Sequence, residues 1–208
     1  MATQPQKSQT PEPAQPSQQS QQAQQAQQQE QAQGSQKQID LASKIRNIPD
    51  FPVPGILFRD ITTLLKDAEA FSYAIDQLTD RLKDLKPDKI VAIESRGFIF
   101  GAPIAYKLGA GFVPVRKLGK LPADTVVAEY ELEYGTNTVE MHVDAISPGE
   151  RVVIVDDLLA TGGTTRATIE LVEQLDGDIV ALAFLIELTE LGAREYLEGF
   201  NIVTLLQF

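Results

Sequence analysis

Two adjacent carboxylates, Asp156 and Asp157, stand between an apolar run and a loop of small residues, Ala160, Thr161, Gly162, Gly163 and Thr164. The two glycines let the backbone turn tightly and come close to a ligand. The residues that follow, 164–175, have helical spacing. Amide N–H groups in the first turn of such a helix lack intrahelical partners and can point at a phosphate. The hydroxyls of Thr161, Thr164 and Thr165 supply further donors. Acids beside an anion cradle repel the anion unless they face something else, such as sugar hydroxyls or a metal ion. A lone acidic pair in such a turn is usually a solvated cap; the full series of strand, acids, small-residue loop and helix favours a ligand site. Two other phosphate loops fit less well, because no Lys follows the glycines as in a Walker A loop and no G-x-G-x-x-G is present.

The elements that must position this segment read as alternating strands and helices. Apolar strands are predicted at 89–93, 112–115, 151–155, 179–186 and 202–205, and helices at 71–85, from the Ser95-Arg96-Gly97 turn to Leu108, at 164–175 and at 191–197. Leu41, Ile45 and Ile48 have helical spacing within 39–48, before Pro49, Pro52 and Pro54 force an irregular stretch. Residues 125–134 and 137–143 alternate as strands, with Gly135 and Thr136 forming a hairpin turn. The fold class is therefore α/β, a mostly parallel twisted sheet with helices on both faces. Ligands of such sheets bind beyond the carboxyl ends of the strands, which is where the acidic pair and its loop fall.

Composition bounds the chemistry. The chain has 208 residues, 43% of them apolar, enough for one domain with a core. Residues 1–38, rich in Gln with Pro, Ala and Ser, read as a disordered arm, with a short Gln/Ala helix or a coiled-coil arm as alternatives. Residues 39–208 form the predicted domain. No cysteine is present, which excludes disulfides, thiolate metal sites and Cys nucleophiles. The single His142 excludes sites needing two imidazoles and is read as structural or exposed. The net charge is −11, all of it outside the arm, where Lys7 and Lys37 cancel Glu12 and Glu30. So acidic a body argues against a nucleic-acid surface. No run approaches the roughly 20 apolar residues of a membrane span, and no secretory leader is visible, so a cytoplasmic protein is expected. The cations cluster at Arg116, Lys117 and Lys120, around Gly119 and after a strand, which favours an anion contact over a solvated face.

The segment 152–165 resembles the phosphoribosyl pyrophosphate (PRPP) motif of type I phosphoribosyltransferases. The resemblance implies that Asp156 and Asp157 contact the ribose hydroxyls and that the amides of Ala160, Thr161, Gly162, Gly163 and Thr164 hold the 5′-phosphate. Residues 51–61, Phe-Pro-Val-Pro-Gly-Ile-Leu-Phe-Arg-Asp-Ile, are similar to the N-terminal hood of the adenine phosphoribosyltransferase family. There the backbone at Leu57 and Arg59 would read the adenine edge and Phe58 would pack on the base. A fixed carbonyl accepts from a 6-amino group and meets a 6-oxo group unpaired, so backbone readout discriminates. Glu94-Ser95-Arg96-Gly97-Phe98 resembles the pyrophosphate loop, with Ser95 and Arg96 on the leaving diphosphate; the resemblance gives Arg116, Lys117 and Lys120 the same partner. Leu132-Glu133-Tyr134-Gly135 falls in the family's flexible hairpin lid, where Glu133 would manage protons near the purine N7 and Tyr134 would help close the site.

The resemblance covers 39–208 and implies adenine + PRPP → AMP + pyrophosphate, by substitution at the anomeric carbon. It implies Mg²⁺ entering mainly with PRPP, with Asp156 and Asp157 as the side chains available to it, and a homodimer. Two other readings stay open here. One is a phosphoribosyltransferase for hypoxanthine, guanine, xanthine, orotate or uracil, against which the hood and lid segments argue. The other is a PRPP-sensing regulator without catalysis, which would ordinarily carry an added DNA-binding domain and a basic face.

Overall fold

The computed structural model describes residues 38–131 and 136–208. The lid residues Leu132, Glu133, Tyr134 and Gly135 lie outside that range, as does the Gln-rich arm but for its last residue.

The apolar runs become strands β3 (Lys89–Ile93), β4 (Gly111–Lys117), β7 (Arg151–Leu159), β8 (Asp178–Glu187) and β9 (Ile202–Gln207). With the hairpin β5 (Thr125–Glu131) and β6 (Thr136–His142) they form one seven-stranded sheet of order β5-β6-β4-β3-β7-β8-β9. The five strands from β4 to β9 are mutually parallel, and the hairpin joins the edge at β4 in antiparallel pairing. Side chains alternate between the two faces of a strand, so an unbroken apolar run needs cover on both. On one face, Val91, Ile93, Val152, Ile154, Leu182 and Phe184 pack with Ala167, Ile169, Leu171 and Val172. These last belong to helix α4 (Gly163–Gln174). On the other face, helix α3 (Arg96–Leu108) lies so close that a Cβ on Gly101 would come within 2.6 Å of Ala92 Cβ. Helix α2 (Ala68–Leu82) packs beside it through an edge-on contact of Phe71 with Phe100, ring centroids 6.1 Å apart.

Three sequence expectations change. Residues 39–48 are not a helix: a single 3-10 turn, Ala42–Lys44, leads into strand β1 (Arg46–Pro49), which pairs antiparallel with β2 (Leu57–Asp60). So short a helix is marginal alone. The strand instead gains ladder bonds and an ion pair between the register partners Arg46 and Asp60, with Arg46 Nε 2.9 Å from Asp60 Oδ2. The predicted helix 191–197 shrinks to a 3-10 turn, Thr189–Leu191, and one α turn, α5 (Ala193–Tyr196), split by Gly192 at φ +68°. Strand β7 runs four residues beyond Val155, because β8 continues beside it and pairs Asp156 with Phe184 and Leu159 with Glu187. The acids therefore stand on a strand end, not in a loop. A short helix, α1 (Thr62–Leu65), completes the set.

Candidate active site

Parallel register brings the chemistry-bearing residues to one level. Ile93 pairs with Val115 and Ala92 with Val155, so Glu94 and Arg116 stand level at the carboxyl ends of β3 and β4, with Asp157 of β7 at the same height. The turn after β7 holds the predicted cradle. Gly162 takes φ +89° as the residue preceding α4, and Arg166 N–H bonds back to its carbonyl at 2.8 Å. A cavity of about 100 Å³ is lined by Ala160, Thr161, Gly162, Gly163, Thr164 and Asp156, together with Tyr130 from β5. First-turn amides of α4 have no intrahelical partners, so this concavity suits an anion.

Asp156 and Asp157 diverge in setting. Asp157 is nearly buried and receives Arg96 Nε on Oδ2 at 2.8 Å. Its own amide donates to Asp156 Oδ1 at 2.8 Å. Burial first, then the neighbouring Asp157 charge, pushes the Asp156 carboxyl well above the usual range. Burial also raises Asp157, with Arg96 opposing it. A cation brought beside the pair would draw both carboxyls toward ionisation.

Arg96 reaches this pair because α3 is seated tightly. A Cβ on Gly97 would come within 2.8 Å of Val155 O and 2.9 Å of Asp156 Oδ1. Ser95 precedes the first turn of α3, across a cis peptide from Glu94. The Arg96 side chain is otherwise partly exposed, and its guanidinium carbon lies 5.9 Å from the Phe58 ring centroid. The hood thus stands over the pyrophosphate turn. Phe58 also packs edge-on against Phe51 at 5.2 Å, and Leu57 beside it is half exposed. Arg59 points away, donating to Asn47 Oδ1 at 2.6 Å and stacking 4.1 Å over the ring of Phe208 beyond β9. Its guanidinium is thus engaged within the chain.

The cationic cluster is more constrained than its sequence suggests. Arg116 donates Nε and Nη2 to the two oxygens of Glu94, each at 3.2 Å, and Nη1 to Lys120 O at 3.2 Å. That fork, ahead of burial, holds the Glu94 carboxyl below its usual range. The side chains of Lys117 and Lys120 have no ion-pair partner among the described residues; the amide of Lys117 also bonds Glu94, at 3.1 Å. Buried Glu140 on β6 accepts from the amides of Lys120 and Leu121 at 2.7 and 2.8 Å and so shapes the turn. Burial works against its ionisation, but the amides of Leu121, Lys120 and Gly119 outweigh it and lower the carboxyl.

The described predicted residues therefore gather at the carboxyl end of the sheet, while Glu133 and Tyr134 lie outside the described residues. Tyr130, Glu94 as a clamp on Arg116, and Glu140 went unnoticed in the sequence. Alternation marks Glu140 only as one face of a strand, and Tyr130 carries no motif.

Comparison with known proteins gives the following. The phosphoribosyl transferase domain model matches residues 60–203. An adenine phosphoribosyltransferase from Alkaliphilus oremlandii is 59% identical over 170 residues, 82% of this chain and 99% of the relative. A crystal structure of adenine phosphoribosyltransferase from Thermoanaerobacter pseudethanolicus superposes with a TM-score of 0.79 at 57% identity, covering 81% of this chain and 98% of that one. The Saccharomyces cerevisiae enzyme, solved with adenine and an imino-altritol bisphosphate, gives 0.76 at 41% identity, over 79% of this chain and 96% of that one.

Proposed function

The chain belongs to the adenine phosphoribosyltransferase family, and from that membership we propose that it joins adenine to the ribose of PRPP, yielding AMP and pyrophosphate in purine salvage. The observation that carries the reading is the end of β7, where a small-residue anion cradle adjoins an acidic pair, Asp157 buried and Asp156 half-buried, beneath an aromatic hood.

In the reaction the C1′–O bond to pyrophosphate breaks with its electron pair, the adenine N9–C1′ bond forms with inversion, and adenine gives up one proton. The cradle at 160–164 holds the 5′-phosphate. Asp156 and Asp157 take the ribose hydroxyls and favour the positive charge that builds on the sugar as the bond stretches. Arg96 offers its terminal nitrogens, and Ser95, Lys117 and Lys120 further donors, to the leaving diphosphate. Arg116, clamped by Glu94, orders the turn that carries those lysines. Phe58 packs on the base, whose edge meets the backbone of Leu57 and Arg59. Glu133 assists the proton, and Tyr134 with the rest of the hairpin covers the site against water, which would otherwise hydrolyse PRPP.

Among the described residues no group of three acids or imidazoles could cage a metal. The acidic pair nonetheless suits a hard cation that keeps its waters and takes one or two carboxylates beside substrate phosphates. Asp156 and Asp157 would be the carboxylates available to Mg²⁺ entering with PRPP, and the ion would neutralise the diphosphate and improve it as a leaving group. The protein works as a cytoplasmic homodimer. The exposed apolar side chains Ile99 and Tyr106 of α3 and Phe112 of β4 support a covered face, and no helix among the described residues is long and apolar enough to cross a membrane.

The test is pyrophosphate release from PRPP and Mg²⁺ with a panel of bases. Adenine should turn over, with hypoxanthine, guanine and uracil slower by about 10⁴-fold, since each presents a mismatched edge to fixed backbone groups. Preference for a 6-oxo base would overturn the adenine assignment, and binding of PRPP without turnover would make the chain a sensor.

A further inference from the structure

Glu187 closes β8 next to the cradle and is only 2% exposed. Arg194 of α5 grips it from two directions, Nε to Oε1 at 2.6 Å and Nη2 to Oε2 at 2.7 Å. Thr204 Oγ1 and Gln207 Nε2 also donate to Oε2, at 3.2 and 3.0 Å. The Arg194 bonds, ahead of burial, hold the carboxyl below its ordinary range, so the pair is ionised at neutral pH. The Arg194 side chain is half exposed, so the pair bridges the buried carboxylate to the surface. Its forked geometry fixes direction, and what it fixes is a segment that cannot hold itself. The four residues of α5 are far too few for a self-supporting helix. The segment is anchored elsewhere by Leu188 N–H on Leu159 O, and by the amide and hydroxyl of Thr189 on Phe208 O, each at 2.9 Å.

The far side of this segment meets the cradle. A Cβ on Gly162 would lie 3.2 Å from Tyr196 Cδ1 and 3.3 Å from Leu197 Cδ1, so these two side chains back the turn. The Leu159 carbonyl that receives Leu188 immediately precedes Ala160. We propose that the Glu187–Arg194 pair is a positioning element for the 5′-phosphate cradle, holding residues 188–197 so that Tyr196 and Leu197 keep the turn at 160–164 in its binding shape. Neither member of the pair touches substrate; both act through the turn. The inference rests on the transferase reading and extends it to residues that no phosphate-loop motif contains.

The experiment compares full-length wild type with Arg194→Met, Arg194→Lys and Tyr196→Ala. Readouts are kcat, KM for PRPP, KM for adenine, the Kd of ribose 5-phosphate and Tm. Tyr196→Ala leaves the Glu187–Arg194 pair intact at a residue that is 59% exposed, so it tests the backing role even if Arg194→Met does not fold. Expected for Arg194→Met and Tyr196→Ala is a rise of about 10- to 100-fold in both KM for PRPP and Kd for ribose 5-phosphate, the size of loss a small misplacement causes. KM for adenine should stay within about twofold. Arg194→Lys keeps the charge without the fork and should restore little. A folded Arg194→Met with unchanged PRPP and ribose 5-phosphate values overturns the proposal, as does unchanged Tyr196→Ala, or an equal rise in both KM values. A wild type that binds ribose 5-phosphate but releases no pyrophosphate refutes the transferase reading and leaves the positioning role testable through Kd.

Discussion

Asp156 is a residue whose function works against its fold. Unfolded, its carboxyl titrates in the ordinary range; folded, burial and then the Asp157 charge raise it. Between those two values the folded chain holds the extra proton, so stability falls as pH rises from the ordinary carboxylate range through the raised one. Asp156→Asn removes that burden, and its Oδ1 still accepts from the amide of residue 157. It should raise Tm at neutral pH by roughly 2–4 °C per ~1 kcal/mol relieved. In the same variant kcat/KM should drop about 10²- to 10³-fold, through loss of charge opposite the ribose. Thermal melts against pH check the first half: the variant's advantage should vanish toward acid. Glu133 belongs to the same scale. Glu133→Gln should lower kcat about 10²- to 10⁴-fold with adenine binding little changed; equal turnover in steady-state assays refutes its proton role.

Helix α3 delivers Arg96 because two glycines one helical turn apart, Gly97 and Gly101, let it lie on the sheet. Gly97→Ala would drive a methyl into Val155 O and Asp156 Oδ1 at 2.8 and 2.9 Å. Lifting the helix should cost ~1–3 kcal/mol and separate Arg96 from Asp157, visible as a lower Tm and a raised KM for PRPP. A variant indistinguishable from wild type in both would show that the close seating has no part in the site. The elements legible in sequence were those with one repeating pattern. The amphipathic period of 71–85 and the apolar runs of β3, β7 and β8 gave helices, strands and a mostly parallel sheet. The spacing of Leu41, Ile45 and Ile48 misled, since Leu41 and Ile45 are buried without forming a helix. What decided that stretch was the Arg46–Asp60 pairing across fourteen residues, which no local period records. The extension of β7 through the acids likewise depends on β8 lying alongside. In the site, the cradle and hood were readable because their chemistry is contiguous in sequence. Glu94 on Arg116, Glu140 under the lysine turn and Arg194 on Glu187 were not, because each joins residues that only the fold brings together.

At the scale of the molecule, the matched phosphoribosyl transferase domain, 60–203, lies within the compact unit 40–208. The Alkaliphilus relative is spanned over 99% of its length by 170 residues, 82% of this chain. Deleting residues 1–37 should leave kcat/KM within about twofold and Tm unchanged; a larger loss in either would give the arm a part in the catalytic unit. The unit is strongly acidic, with the chain's net charge at −11, and must still bind a polyanion. In the proposed reading it does so locally, with backbone amides at 160–164 for one phosphate end of PRPP and Arg96, Lys117 and Lys120 for the other. A crystal structure with ribose 5-phosphate bound tests that division most directly. Expected is the phosphate enclosed by the turn 160–164, with the ribose hydroxyls on Asp156 and Asp157. A phosphate seated instead among Arg116, Lys117 and Lys120, with the turn after β7 bare, would contradict it.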